Sequence, residues 1–521
     1  MNSIPKPDHA PTERFASLRT TGMTHWFILI SSLILGTMVN VQSEEEAPIP
    51  IGSRLELFVD DTIIHSLSGK AMKRLHHPVR KEIAVVHDAP WEGNGGNYHA
   101  IFQDGDLYRM YYHAWQIPGS TGEPTHPLYI AYCESKDGIR WVKPALNRFE
   151  FEGSKKNNIV LTTVNGSEPH DLSPFIDTNP KTKSKYKAVG LCQNPAGLYG
   201  FRSDNAIDWE VLNDDKPIMT GHPFDTQNIV FWDAAIGKYR AYIRDFHKGP
   251  PSRRGIMTAV SDDFIHWSKR RWLEFGSAPK EELYTNQVRP YYRAPHIYVG
   301  FPSRYIDRGW GHSTETLPQP AERKTRSKGS RRYGSAVTDA LLMTSRDGIH
   351  FNRWEEAFLK PGLRTRHNWS YGDNYLAWHI VETDSADDDM PRELSLYATE
   401  SYFTGKMSRL RRYSLRIDGF VSINAPVQGG EIVTQPLVFA GSELKINFST
   451  AAAGSIHVEL QDENGEALAG FGRSNCHEIF GDSLEHLVAW KENPDLGRLA
   501  GQTIRLRFIL KEADLYSFKF H

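Results

Sequence analysis

The chain has 521 residues, 61 Lys and Arg against 63 Asp and Glu, a formal net charge of -2 and 39% hydrophobic residues. That length is enough for two or three domains with full cores, and the lack of a basic excess removes nucleic acid from its partners, because phosphate backbones are bound by surplus Lys and Arg. Three cysteines, Cys133, Cys192 and Cys476, without CxxC spacing exclude a fully paired disulfide framework and argue against a cysteine-based metal site.

At the N-terminus, Trp26-Phe27-Ile28-Leu29-Ile30 opens an apolar run that ends at Met38. Arg14 and Arg19 precede it, and Val41-Gln42-Ser43 follows as a small-residue cleavage site. The run is short for a membrane span. It reads as a signal peptide over residues 1–43, with an uncleaved anchor as the alternative. The mature protein is then secreted or periplasmic, with no membrane span after cleavage. Residues 44–95 form a leader. Leu57-Phe58-Val59 and Ala84-Val85-Val86 read as strands, and this segment is expected to close a ring by pairing the two chain ends in one sheet.

A short phrase then recurs. It reads Ser135-Lys136-Asp137-Gly138-Ile139-Arg140-Trp141, returns at Ser203 to Trp209 and at Ser261 to Trp267, and appears again at Ser345 to Phe351. A degenerate fifth copy is Arg416-Ile417-Asp418-Gly419-Phe420. The Asp or Asn side chain can bond backbone N–H groups two residues on and set a tight turn, after which Ile and an aromatic start a strand. Recurrence at roughly 60 to 80 residues is the interval of propeller blades. These acids are therefore scaffold. Five blades are predicted over residues 96–425, each a run of short strands with turns such as Asp104-Gly105-Asp106. The basic stretch from Arg323 to Arg332 reads as a solvated loop, with a capping or anion-binding role as the lesser reading. From 426 to 521 the pattern becomes strict alternation, as in Leu444-Lys445-Ile446-Asn447-Phe448 and Ile504-Arg505-Leu506-Arg507-Phe508. That is the pattern of half-buried antiparallel strands, and a β-sandwich is predicted. The fold class is all-β: a five-bladed β-propeller followed by a C-terminal β-sandwich.

Ser261-Asp262-Asp263-Phe264-Ile265-His266-Trp267 resembles the Ser-x-Asp-hydrophobic-x-x-Trp phrase of five-bladed propeller glycoside hydrolases. These are the invertase-like (family 32) and arabinanase-like (family 43) enzymes, of which this chain looks like a divergent member. A propeller followed by a sandwich is similar to the invertase-like architecture over most of the mature chain. The resemblance implies three carboxylates at inner-strand starts around a central channel: a nucleophile or base, a general acid and a positioning Asp. Glycoside cleavage needs one acid to protonate the leaving oxygen and another to attack or activate water. Carried over by strand register, the three positions fall on Asn97, on Gln227 and near Asn286, all amides. The family's Asn-Asp-Pro-Asn, Arg-Asp-Pro and Glu-Cys signatures are absent. Arg244-Asp245 is an Arg-Asp pair, but at the far end of a second strand.

An amide is neither a general acid nor a base, so either the register differs, or the chemistry uses other acids, or the site only binds. Asn97, Gln227, Asn286 and Asn374 open four blades. They either satisfy neighbouring backbone or offer donors and acceptors to sugar hydroxyls. Acids flank the same mouth. Asp225, Glu282, Asp88 and Asp373 stand first as catalytic candidates, because converging carboxylates push one another's pKa values apart. Glu92, Asp171 and Glu281 share that neighbourhood. Trp91, Trp369 and Tyr371 could stack on sugar rings or pack in the core, and Arg244 could bind hydroxyl or carboxylate groups, as could His87, His170 and Arg289. No metal ligands and no cofactor are predicted, although a structural calcium ion is compatible with central acids. The predicted function is an exported glycoside hydrolase acting on oligo- or polysaccharide with two carboxylates at the channel. The alternative is a non-catalytic glycan-binding propeller. A sialidase-like enzyme, suggested by the Asp-containing turns, fits less well, because the phrase has one residue fewer before its aromatic.

Overall fold

The computed structural model describes residues 47–117, 124–250, 252–492 and 494–521, so the predicted signal peptide lies outside the described residues. Among these residues the chain is nearly all β, with three short helices between Gly311 and Ala336. No helix is long and apolar enough to cross a membrane.

Five four-stranded antiparallel sheets follow one another. Sheet I holds Ala100–Asp104, Leu107–Ala114, Tyr129–Ser135 and Ile159–Leu161, and sheet II holds Ser173–Ile176, Tyr186–Gln193, Ala196–Ser203 and Glu210–Val211. Sheet III is Ile229–Asp233, Lys238–His247, Arg253–Ser261 and Arg271–Trp272. Sheet IV is Arg289–Tyr291, Ala294–Gly300, Met343–Ser345 and Asn352–Arg353. Sheet V takes Val381–Thr383, Glu393–Glu400 and Arg409–Leu415, and its outer strand is Val79–Val86 from the leader.

The recurring phrase follows the third strand in sheets I to IV, and its side chains build one turn four times. Asp137 Oδ1 accepts from the N–H groups of Ile139 and Arg140 at 2.8 and 2.7 Å, while Ser135 Oγ accepts from Gly138 N at 2.9 Å. Asn205, Asp263 and Asp347 repeat the pair of bonds at 2.8 to 2.9 Å. The fourth residue takes a left-handed φ in each copy: 71° at Gly138, 66° at Ala206, 73° at Phe264 and 76° at Gly348. At Phe264 that conformation is held by packing, since its ring meets Phe175 and Tyr239 between sheets II and III. The fifth copy does different work. Asp418 is buried and accepts from the Tyr291 hydroxyl at 2.7 Å, Arg293 Nε at 3.1 Å and the Ser517 hydroxyl at 3.2 Å. It ties sheet IV to the C-terminal strands.

The leader divides between two sheets. Only Val79–Val86 joins the five-sheet series, whereas Ile49–Gly52, Glu56–Leu57, Ile64–Gly69 and Met72–Leu75 pair with strands after residue 420. They complete a ten-stranded assembly whose spine is the 18-residue strand Thr503–Phe520, paired along most of its length with Leu444–Gln461. It folds over a single apolar core that includes Phe58, Ile446, Phe508 and Phe518. Alternation of that kind buries one face of each strand and leaves the other polar.

Sheet IV carries an insertion. Ser303–Asp307 and Ala336–Ala340 pair with each other, Glu282–Leu283 joins them, and helices His312–Glu315, Pro320–Arg326 and Arg332–Ser335 lie between. The basic stretch is therefore not a solvated loop. Arg323 and Arg326 are buried, because a guanidinium carries five donors and folded backbone offers acceptors for them. Arg323 donates to Pro318 O at 2.8 Å, to Ser370 Oγ at 3.3 Å and to Trp369 O. Arg326 donates to Thr404 Oγ1 at 3.1 Å. These bonds fasten the insertion across the loops of sheet V.

The first strands of the five sheets meet around Trp378. Ala100, Phe175, Val230, Val288 and Trp378, one from each sheet or from the segment leading into it, share one core cluster. Trp378 is fully buried, and its indole N–H donates to Val288 O at 3.1 Å. Its backbone bonds sheet I, donating to His99 O at 2.8 Å and accepting from Ile101 N at 3.0 Å.

Candidate functional site

The segments that enter the first strands bring tyrosines together. Tyr98, Tyr284, Tyr305, Tyr371, Tyr375, Tyr402 and Phe403 form a buried aromatic cluster, half-covered by Trp115 and by Tyr333 of the insertion. Tyr284 and Tyr375 have ring centroids 5.6 Å apart, and the Tyr371 hydroxyl donates to the Tyr284 hydroxyl at 3.0 Å. Three arginines approach this cluster. Arg254 lies 4.6 Å from the Tyr305 centroid and 5.0 Å from that of Tyr284, Arg244 5.2 Å from Tyr284, and Arg332 5.2 Å from Tyr371. Burial would raise the Tyr284 phenol, but Arg332, Arg244, the Tyr371 hydroxyl and Arg254 outweigh it and lower its pKa.

Two of these cations hold acids at the rim. Arg244 pairs with Asp225, whose side chain stays 47% exposed, and Arg254 Nη1 meets Glu282 Oε2 at 2.5 Å. Arg332 pairs with no carboxylate among the described residues.

Beside Tyr98 is a second group, His113, His170 and Asp171. Ring centroids lie 4.7 Å apart for Tyr98 and His113 and 5.4 Å apart for His113 and His170. Asp171 is fully buried, and its Oδ1 accepts from Leu191 N at 3.0 Å and lies 3.6 Å from His170 Nδ1. Burial raises the Asp171 carboxyl above the ordinary range, against the opposing pull of His170 and of the Leu191 and Asn228 backbone. Burial also keeps His113 well below its usual pKa, with His170 and His99 adding to the effect. Several buried polar atoms in this neighbourhood lack a partner: Asp171 Oδ2, both His113 ring nitrogens, Asn97 Nδ2, Asn228 Oδ1, the Tyr375 hydroxyl and the Nε atoms of Arg244 and Arg254. Such groups are costly to leave unpaired, and a concentration of them marks where water or a ligand sits. His170, with 30% of its side chain exposed, forms part of the rim.

The sequence-derived candidates separate on this frame. Asp225, Glu282 and Arg244 belong to the tyrosine–arginine cluster. Asp373 lies behind Tyr402, fully buried, accepting from Ser370 N at 2.8 Å and Tyr402 N at 3.0 Å; burial pushes its carboxyl up to about 7. Asp88 is 60% exposed and bonds Lys143 at 2.8 Å, which lowers its pKa; the same Lys143 bonds buried Glu92 at 2.6 Å. Trp91 donates its indole N–H to Asn158 at 2.7 Å and packs against the core beside Tyr112. Trp369 bonds Gly362 O at 2.9 Å within its own loop.

The amides link neighbouring sheets. Gln227 Nε2 donates to Tyr98 O and His99 O, both at 3.1 Å, and Gln227 Oε1 accepts from Gln287 at 2.6 Å. Asn286 donates to Tyr242 O at 3.4 Å and Asn374 to Thr338 O at 3.0 Å. Asn97 Oδ1 accepts from Tyr98 N and Thr399 Oγ1, which leaves only its Nδ2 for another partner. The sequence gives no site role to Tyr98, Tyr284, Tyr375, His113 or Arg254, and Arg332 falls in the basic stretch whose lesser reading is anion binding. A visible signal was a tyrosine one residue after Asn97 and Asn374 and two before Asn286. No set of three or more His, Cys, Asp or Glu side chains among the described residues is grouped to hold a metal ion.

No protein-family model matches the chain, and no curated protein matches it in sequence. Solved structures do resemble it. One described as a glycoside hydrolase is 14% identical, with a TM-score of 0.41, and the match covers 65% of this chain and 92% of that one. A thermostable family-43 glycoside hydrolase is 12% identical at a TM-score of 0.38, covering 64% and 93%. An N-acetylgalactosamine deacetylase from F. plautii, in complex with blood group B trisaccharide, is 9% identical at 0.41, covering 67% and 96%. Glycoside hydrolases recur among these structural neighbours.

Proposed function

We propose that this chain is an exported glycoside hydrolase, that its five sheets are the blades of a propeller, and that cleavage takes place where their first strands begin. The observation that carries the reading is the buried, partly unpaired carboxyl of Asp171 among aromatic rings and other unpaired polar atoms. Aromatic faces receive pyranose rings, and unpaired donors and acceptors receive their hydroxyls. Tyr98 and Tyr375 are the stacking surfaces in this reading.

Asp171 is the general acid. Its burial favours the protonated carboxyl that a leaving glycosidic oxygen needs, and His170 positions it. Asp225 is the second carboxylate, paired with Arg244 and open to solvent, and acts as base or nucleophile. It shares the segment 224–228 with Asn228, whose backbone faces Asp171. Glu282, held by Arg254, is the third acid. Three arginines against two acids leave positive charge beside Tyr284, which favours a sugar bearing a carboxylate in that subsite.

Hydrolysis is measured on a panel pairing neutral oligosaccharides with their uronate-containing counterparts. Asp171→Asn and Asp225→Asn are each expected to lower kcat by about 10²- to 10⁴-fold while binding persists. Hydrolysis that survives both substitutions removes these roles. Binding without hydrolysis by the unaltered protein across the panel would make it a glycan-binding propeller.

A further inference from the structure

A second site lies at the other ends of the first strands, beyond Trp378. There a cavity of about 360 Å³ opens between sheets I, II, IV and V. Its walls are largely apolar, with Phe102, Ile176, Tyr291, Val299 and Phe301, and it opens to solvent past exposed Gln103, Tyr292 and Arg392. Its volume is within the range of small-molecule sites.

Its polar groups are few and unbalanced. Glu382 is matched by Arg392 at 3.3 Å and by the Tyr292 hydroxyl, and Arg392 also bonds Glu382 O at 2.9 Å and Asp384 at 3.2 Å. Arg289 has no such match. Its guanidinium contacts the His379 ring and pairs with no carboxylate among the described residues. Burial lowers its pKa to about 10, with no neighbouring charge contributing. Arg289 is half-buried, and a partly desolvated cation without an anion is costly to hold in a folded protein. Gln287 also lines the cavity, and its Oε1 has no partner.

We propose that this cavity binds a small organic carboxylate with an aromatic or alicyclic body. The carboxylate would sit on Arg289, a protonated or hydroxyl substituent on Gln287 Oε1, and the ring against Phe102, Tyr291 and Phe301. The apolar walls favour such a body over a fully hydroxylated sugar, whose hydroxyls would find few partners there. This site is separate from the proposed hydrolytic mouth, and either can fail without the other.

Benzoate, its neutral isostere benzyl alcohol and inorganic phosphate are titrated against the full chain and against Arg289→Met, with heat of binding and thermal midpoint as readouts. Benzoate is expected to bind at least about tenfold more tightly than benzyl alcohol, because one charge-assisted, partly desolvated contact is worth about that much. It is expected to raise the midpoint of the unaltered protein only. Without ligand, Arg289→Met is expected to melt no lower than the parent, since it removes an uncompensated charge. Equal binding of benzoate and benzyl alcohol, benzoate binding retained in Arg289→Met, or binding of phosphate alone would each overturn the proposal. If Arg289→Met does not fold, Arg289→Gln takes its place, and benzoate affinity unchanged in that variant overturns it equally.

Discussion

Two buried aspartates with raised pKa values have opposite surroundings. Asp373 accepts two backbone N–H bonds and has both oxygens occupied, whereas Asp171 keeps one oxygen free beside a half-exposed histidine. Burial dominates both shifts, so the shift alone does not distinguish scaffold from chemistry; the unpaired oxygen does. For Asp373 a consequence for stability follows. Its folded pKa of about 7 lies above its unfolded value near 4, so between those pH values the folded state holds a proton that the unfolded state has released. Stability should fall as pH rises through that window, by about 1.4 kcal/mol per pH unit from this group, and level off above it. Urea melts of the parent and of Asp373→Asn from pH 4 to 8 test this. The variant should lose that slope, while its amide N–H₂ cannot accept from one of the two backbone N–H groups. Asp373 and Asp171 could both be picked from the sequence as acids near strand starts, but which one keeps a free oxygen depends on backbone groups from distant segments.

The recurring turn is the element that the sequence describes most fully. Serine, Asp or Asn, and the residue after it determine every hydrogen bond of the turn, all within six residues. Asp347→Ala removes two bonds to backbone N–H groups, one to His350 and one from the Ser345 hydroxyl, and is expected to cost about 1–2 kcal/mol in a denaturant melt. Asp347→Asn should cost less, because Asn205 already makes the same two backbone bonds in sheet II. The Asp347 carboxyl is pulled down to about 2: burial opposes this, but the His350 bond and the two amides prevail. Its contribution is therefore present above pH 4 and fades as pH falls towards 2. The fifth copy keeps the Asp-Gly pair of the first and fourth but has no leading serine, and its Asp418 turns inward to Tyr291, Arg293 and Ser517. The basic stretch of the insertion is the converse case. Its charge density suggests solvent, yet Arg323 and Arg326 are buried because carbonyl and hydroxyl acceptors from sheet V surround them.

At the scale of the whole molecule, the two ends of the chain are interleaved. Four leader strands complete the C-terminal assembly and a fifth completes sheet V, so the C-terminal sequence alone leaves Val421–Ala425, Gly430–Thr434 and Leu437–Phe439 each short of one neighbouring strand and its core without Ile51, Phe58 and Ile63. A fragment of residues 421–521 is expected to show no cooperative thermal transition, and deletion of residues 47–75 from the full chain should remove Ile51, Phe58 and Ile63 from the core, uncover Phe508 and Phe518, and lower the midpoint sharply. Circular dichroism melts and dye binding check both. By itself the sequence determined what is local: the alternating strands, the four turns and their spacing, and hence a nearly all-β chain with a repeated unit. These follow from side-chain periodicity and from bonds spanning a few residues. Only the tertiary structure decided which leader strands join which sheet, that the amides bind neighbouring backbone, that three arginines converge on Tyr284, and that buried Asp171 and half-buried Arg289 lack full partners. Each of these depends on contacts between residues tens to hundreds of positions apart, and no local pattern encodes which desolvated group will meet a partner and which will not.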